Sequence, residues 1–283
     1  MSKENELWSL EIKPHSNWYD IRLREILSYK DLLFLFVRRD FVSVYKQTIL
    51  GPIWFFIQPI ITALTFTVIF GNLAKVSTDG LPQVLFYMSG ITLWNYFSDT
   101  LTKTSDTFTA NAGVFGKVYF PRMIVPLSVV ISNLIKLGVQ FLLFFSIWIY
   151  FLLQSDKIHP NVYILITPFL IILMGFMGLS FGILISSMTT KYRDLKFLVT
   201  FGVQLMMYAS PIVYPLSIVP QKYKWIIIAN PVTSIIETFK YAFLGVGDFN
   251  WVYLAYSLVF TIILFFISLI VFHKVEKSFM DTV

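Results

Sequence analysis

From residue 51 onward the chain is written in long apolar blocks separated by short polar stretches, and several blocks stay apolar on every side of a helix. A helix needs about 20 such residues to cross the roughly 30 Å hydrocarbon core of a bilayer. Hydropathy marks six spans, residues 51–71, 82–101, 123–153, 162–188, 197–214 and 251–272. The pattern predicts an all-α integral membrane protein with six transmembrane helices. Its organisation is an N-terminal arm and interface helix over residues 1–50, a transmembrane domain over 51–273 and a short tail over 274–283.

Three stretches depart from simple spans. Residues 20–46, DIRLREILSYKDLLFLFVRRDFVSVYK, mix apolar positions (Ile21, Leu23, Ile26, Leu27, Leu33, Phe36, Val37, Phe41, Val44) with charges at nearly every turn. They read as an amphipathic helix lying along the membrane surface, basic side toward lipid phosphates. A plain stop-transfer flank accounts for Arg38, Arg39 and Lys46 equally well. The loop over 102–122 has Asn111, Gly113 and Gly116 as breakers, then an apolar cluster of Val114, Phe115, Val118, Tyr119 and Phe120 closed by Pro121. Such an element suits docking onto a partner or anchoring at an interface. Over residues 214–250 the apolar pieces 225–229 and 232–244 are each too short to cross, and Asn230-Pro231 interrupts them. They predict two re-entrant half-helices capping a conduit, because backbone broken at membrane depth must be satisfied by protein or by water in a cavity.

Charge orients the spans. Eight Lys and Arg precede residue 51, and Lys103, Lys117, Arg122, Lys191, Arg193, Lys196, Lys274 and Lys277 fall on the same side, against only Lys75, Lys157, Lys222, Lys224 and Lys240 on the other. Both termini are therefore expected in the cytoplasm. Composition agrees: 57% hydrophobic and 13% charged residues leave too little polar surface to cover a soluble globule. The net charge of +6 follows from this cytoplasmic bias, so no nucleic-acid partner is expected. Residues 1–30 are charged throughout and predict no signal peptide, and the absence of cysteine removes disulfides and thiolate sites.

Several chemistries lack their residues. Gly116-Lys117 is followed by Val118 with no glycine at the required spacing before it, so no phosphate loop forms and the chain is not expected to be an enzyme or to bind a cofactor. His15, His159 and His273 lie too far apart for a metal site, and neither H-E-x-x-H nor G-x-S-x-G occurs. The spans hold almost no carboxylates; Asp99 sits near a cytoplasmic end and Glu237 in the half-helix region. An ion-coupled carrier would need acidic groups at the midplane, so the energy source is expected elsewhere.

Four blocks carry a resemblance: RRDFVSVYKQTILGPIWFFIQPIITALTFTVIFG, GKVYFPRMIVPLSVVISN, KYRDLKF and YASPIVYPLSIVPQKYKWIIIANPVTSIIETFKYAFLG. In order and spacing they resemble the membrane subunit of type-2 ABC exporters of bacterial surface polysaccharides, over residues of about 30 to 275. The resemblance implies a homodimer in the bacterial inner membrane, assembled with two copies of a separate ATPase that uses ATP and Mg. It implies export of a lipid-linked O-antigen polysaccharide, of the undecaprenyl-pyrophosphate type. It places Arg38, Arg39 and Lys46 where the lipid pyrophosphate approaches, a coupling helix for the ATPase over 114–122 (Val114, Phe115, Lys117, Val118, Tyr119, Arg122), and a periplasmic gate at Tyr214, Trp225, Asn230, Pro231 and Glu237.

A glycan conduit needs aromatic faces and neutral hydrogen-bonding groups with few fixed charges. Trp54, Gln58, Thr62 and Thr65 share one helical face of the first span, and Phe197, Phe201, Gln204 and Tyr208 share one of the fifth. In the family these two spans line the dimer conduit; packing between helices is the alternative for the aromatic residues. Lys136, deep in the third span, either snorkels, pairs with a polar neighbour such as Asn133, or faces the aqueous path. Gly175, Gly178 and Gly182 read as a close helix contact. Competing readings are a capsule or teichoic acid exporter, a small-molecule drug exporter, or a membrane glycosyl-transferring enzyme. The last would need a cluster of acidic or histidine residues at a membrane surface, which the sequence does not offer.

Overall fold

A computed structural model of the chain describes residues 28–46, 51–192 and 194–278. The arm before residue 28, with the start of the predicted amphipathic helix and His15, lies outside them, as do the 47–50 link, Arg193 of the KYRDLKF block and the tail beyond 278. The described residues are helical, with no strand among them. Helix α1 (Lys30–Tyr45) precedes α2 (Trp54–Phe66), which is entered through a 3-10 turn at Gly51–Ile53 and leaves through a π-helical stretch, Thr67–Leu73. Then come α3 (Gln83–Ser105), α4 (Thr107–Phe115), α5 (Ile124–Gln154) and α6 (Thr167–Thr189), the last led in by a 3-10 turn. Helices α7 (Leu195–Tyr208), α8 (Gln221–Ala229), α9 (Pro231–Leu244) and α10 (Trp251–Ser278) complete the order.

Among the described residues four segments are long and apolar enough to cross a bilayer: Gly51–Leu73, Ile124–Gln154, Val162–Thr189 and Trp251–Glu276. The other two predicted spans behave differently. Helix α3 has 23 residues, but Asn95, Ser98 and Asp99 lower its hydropathy; it is packed on several sides and needs little lipid-facing surface. Helix α7 is apolar yet only 14 residues long.

The centre of the molecule is the seam between α3 and α6, and glycine makes it possible. A Cβ added at Gly175 would sit 2.4 Å from the Tyr96 hydroxyl, at Gly178 3.0 Å from the Phe97 carbonyl, and at Gly182 2.5 Å from Thr104 Cβ. The spacing read as a close contact is one. Around this seam Phe86, Tyr87, Phe97, Phe144, Phe239 and Phe243 form the main apolar core. A second cluster at the other end joins Phe36 of α1, Phe108 and Phe115 of α4, Phe120, and Phe272 of α10.

One local expectation is corrected. Asn111 and Gly113 do not break the chain; α4 runs through both, since Asn111 Nδ2 donates back to the Thr107 carbonyl at 3.0 Å and nothing opposes helical geometry at Gly113. The helix ends at Gly116, so residues 116–123 form a turn rather than part of a helix over 114–122.

Candidate functional site

The two predicted conduit faces are both outward. On α2, Phe55, Pro59, Ala63 and Phe66 point into the bundle, which leaves Trp54, Gln58 and Thr65 exposed and Thr62 half-buried. The Thr62 hydroxyl is occupied by the Gln58 carbonyl one turn back, at 2.9 Å. Helix α7 buries nothing fully; Phe197, Phe201, Gln204 and Tyr208 are exposed, Phe197 at 80%. Val199, Val203 and Met206 instead turn toward α3 and α6 around a cavity of about 290 Å³. Both helices lean on α3, and their exposed faces are not brought together within one chain.

Helix α1 buries one side against α5 and α2 and leaves the other, with Phe34 and Leu35 as well as its arginines, exposed. Phe36 and Val37 are buried, Ser132 of α5 reaches the Val37 carbonyl at 3.5 Å, and Phe41 meets Phe55 at 5.8 Å between ring centres. Arg38, Arg39 and Lys46 are exposed, and Arg38 and Arg39 line a shallow groove of about 540 Å³ with Asp31, Phe34, Leu35 and Val42. Arg39 pairs with Asp40 at 2.8 Å and stacks over Phe36 at 4.6 Å, which fixes its guanidinium plane.

In the 114–122 segment the residues divide. Phe115 is only 6% exposed and sits among Phe108, Phe120 and Arg122, so it shapes the turn from within. Val118 and Tyr119, at 62% exposure for the tyrosine, stand out with Lys117 and Val114. Arg122 is held by Glu276 of α10, whose Oε1 accepts its backbone N–H at 3.3 Å while its backbone carbonyl accepts the guanidinium. Burial draws the Arg122 pKa down, and the Glu276 carboxylate opposes part of that shift.

The predicted gate residues also separate. Asn230 breaks α8 from α9 as read: its Oδ1 caps α9 by accepting the Val232 N–H at 3.1 Å, and its Nδ2 donates to Ser210 at 2.9 Å. Trp225 on α8 is 68% exposed and Tyr214 half-buried, whereas Pro231 and nearly all of α9 lie inside the bundle. Glu237 is buried at 2% exposure with one oxygen on the Asp248 N–H at 3.0 Å.

One buried cation escaped the sequence reading, and another found a partner the sequence did not name. Lys240, counted as an outer loop cation, is fully buried; its ammonium donates to the Pro211 carbonyl and lies 3.7 Å from the centre of the Phe86 ring. Of the three options offered for it, Lys136 takes the polar partner, but that partner is Asp99 of α3 at 2.6 Å, while Asn133 serves Lys103 and Thr100. Its partner is 37 residues away, so only the α3–α5 register reveals it.

Known proteins resemble the chain over most of its length. The chain is 30% identical over 253 residues to the O-antigen export system permease protein RfbA of Klebsiella pneumoniae, covering 89% of this chain and 94% of that one. It is 24% identical over 226 residues to RfbA of Myxococcus xanthus, covering 79% and 84%. It is 21% identical over 260 residues to the polysialic acid transport protein KpsM of Escherichia coli, covering 89% and 95%. Residues 31–244, from α1 to the end of α9, match the family described as ABC-2 type transporter, and the chain belongs to that family.

Proposed function

We propose that this chain is the permease subunit of an ABC exporter that moves a lipid-linked O-antigen polysaccharide, of the undecaprenyl-pyrophosphate type, across the bacterial inner membrane. The observation that carries the reading is the end-to-end similarity to an O-antigen export permease, 30% identity over 94% of its length. In this reading α3 and α7 complete six spans with both termini in the cytoplasm, and two copies assemble with two separate ATPase subunits that hydrolyse ATP with Mg. The exposed faces of α2 and α7, unpaired within one chain, meet across the dimer and line the path with Trp54, Gln58, Thr62, Thr65, Phe197, Phe201, Gln204 and Tyr208. Val114, Lys117, Val118 and Tyr119 receive the ATPase, Arg38, Arg39 and Lys46 take the lipid pyrophosphate, and α8 with the head of α9 closes the outer side. Bidentate guanidinium contacts suit phosphate oxygens.

Capsule export is the second reading, favoured by the 21% identity to KpsM over 95% of its length. Deleting the gene in its own host separates the two. Loss of surface O-antigen with accumulation of lipid-linked glycan inside the cell supports the first reading. Intact O-antigen with loss of capsule supports the second, and an unchanged surface contradicts both.

A further inference from the structure

Helix α10 holds two regions that lie far apart in the sequence. It has 28 residues and is about 42 Å long at 1.5 Å per residue. At one end Glu276 takes the Arg122 backbone N–H, 154 residues distant, on Oε1 at 3.3 Å; its Oε2 lies 3.2 Å from His273 Nδ1. One turn earlier Phe272 stacks on Phe108 of α4, ring centres 4.8 Å apart. The turn carrying Val118 and Tyr119 is thereby tied to α10 at the point where it enters α5.

At the other end α10 grips the joint between α8 and α9. The Tyr256 hydroxyl donates to the Ala229 carbonyl at 2.9 Å, and the Ser257 hydroxyl donates to the Pro231 carbonyl at 2.6 Å with Ser234 Oγ also at 2.6 Å. Those two carbonyls flank Asn230, where the backbone leaves one half-helix and starts the next. Between its ends α10 lies along α6 through Phe265 on Phe176 and Phe260 on Phe181. A helix is stiff along its axis because its hydrogen bonds run that way, so a shift imposed at one end is delivered at the other.

We infer that Glu276 is a positioning residue that fastens the ATPase-docking turn to α10, and that α10 carries displacement of that turn to the α8–α9 joint. The inference rests on the permease reading, in which the turn moves with the nucleotide state of the partner and the joint belongs to the outer gate.

The test needs no transported cargo. In the cysteine-free chain, assembled with its ATPase in proteoliposomes, Tyr223→Cys on exposed α8 reports the outer side through its labelling rate with an impermeant maleimide. Trapping the ATPase with ATP and vanadate should change that rate by about five-fold. Glu276→Ala, which removes the oxygen on the Arg122 N–H but leaves the backbone carbonyl on its guanidinium, should at least halve the change while ATP turnover continues, and Glu276→Gln, which keeps an oxygen for that N–H, should restore it. The pair Tyr256→Phe with Ser257→Ala should abolish it from the other end. A full nucleotide response in Glu276→Ala overturns the inference. So does no response in the parent chain, or a loss that includes ATP turnover and that glutamine fails to rescue. Failure of the glycan reading is seen separately, as absence of glycan export by the parent complex in which the labelling response is intact.

Discussion

At the residue scale, single positions decide which side chains are available for function. Phe115 and Tyr119 stand in one aromatic run, yet the end of α4 at Gly116 turns the first inward and leaves the second outside. If the turn receives the ATPase as proposed, Tyr119→Asp is expected to leave melting of the purified chain unchanged and to weaken capture of the ATPase by on the order of 2 kcal/mol, since an exposed aromatic contact is lost and a carboxylate is desolvated in its place. Phe115→Asp should lower the melting temperature instead. Equal capture by the Tyr119→Asp chain would remove that residue from the contact. The Lys136–Asp99 pair gives a second expectation. Lys136→Met alone leaves a carboxylate without its partner and should destabilise the chain by about 3 kcal/mol, with Asp99→Asn added in the same chain restoring most of the loss. If single and double variants melt alike, the pair contributes nothing to stability. Deep lysine and Asp99 were both visible in the sequence. Their pairing was not, because it depends on how far α3 and α5 are slid past one another.

At the element scale, the signals that carried were those with local physical causes. Asn230-Pro231 separated the two short helices as expected, because proline restricts the residue before it; that the asparagine also caps the second helix emerged from the structure. The glycines of α6 announced a close seam. What the sequence hid was burial: α9 reads as a half-helix at the membrane edge, but it is core, and α3, read as one span among six, is enclosed by protein along most of its length. Gly182→Ala is expected to cost about 1–3 kcal/mol, since the new methyl meets Thr104 at 2.5 Å. Gly138→Ala in α5, with nothing within 4 Å of the added atom, should be neutral or slightly stabilising. Thermal melts of the two variants in one detergent provide the comparison, and equal loss at both positions would contradict the seam.

At the scale of the whole molecule, α2, α7 and α10 turn large apolar side chains outward along much of their length, as a protein dissolved in lipid must. The helical class was legible in the sequence, as were the four segments long and apolar enough to cross a bilayer; the assignment of each exposed face to lipid, to a second copy or to a conduit was not, because a single chain satisfies none of those contacts. If the α2 and α7 stripes line the path, single cysteines at Gln58 and Phe201 should react with a small water-soluble thiol reagent when the complex hydrolyses ATP, while one at Val203, which faces the bundle, should stay protected. Equal labelling at all three positions would make the stripes packing surfaces. Glycan export itself is tested most directly by reconstituting the chain with its partner ATPase, nucleotide sites outward, in vesicles bearing a radiolabelled lipid-linked glycan. Addition of ATP and Mg should move the glycan into the lumen and protect it from an external glycosidase. Glycan that stays fully digestible while ATP is being consumed would contradict the account.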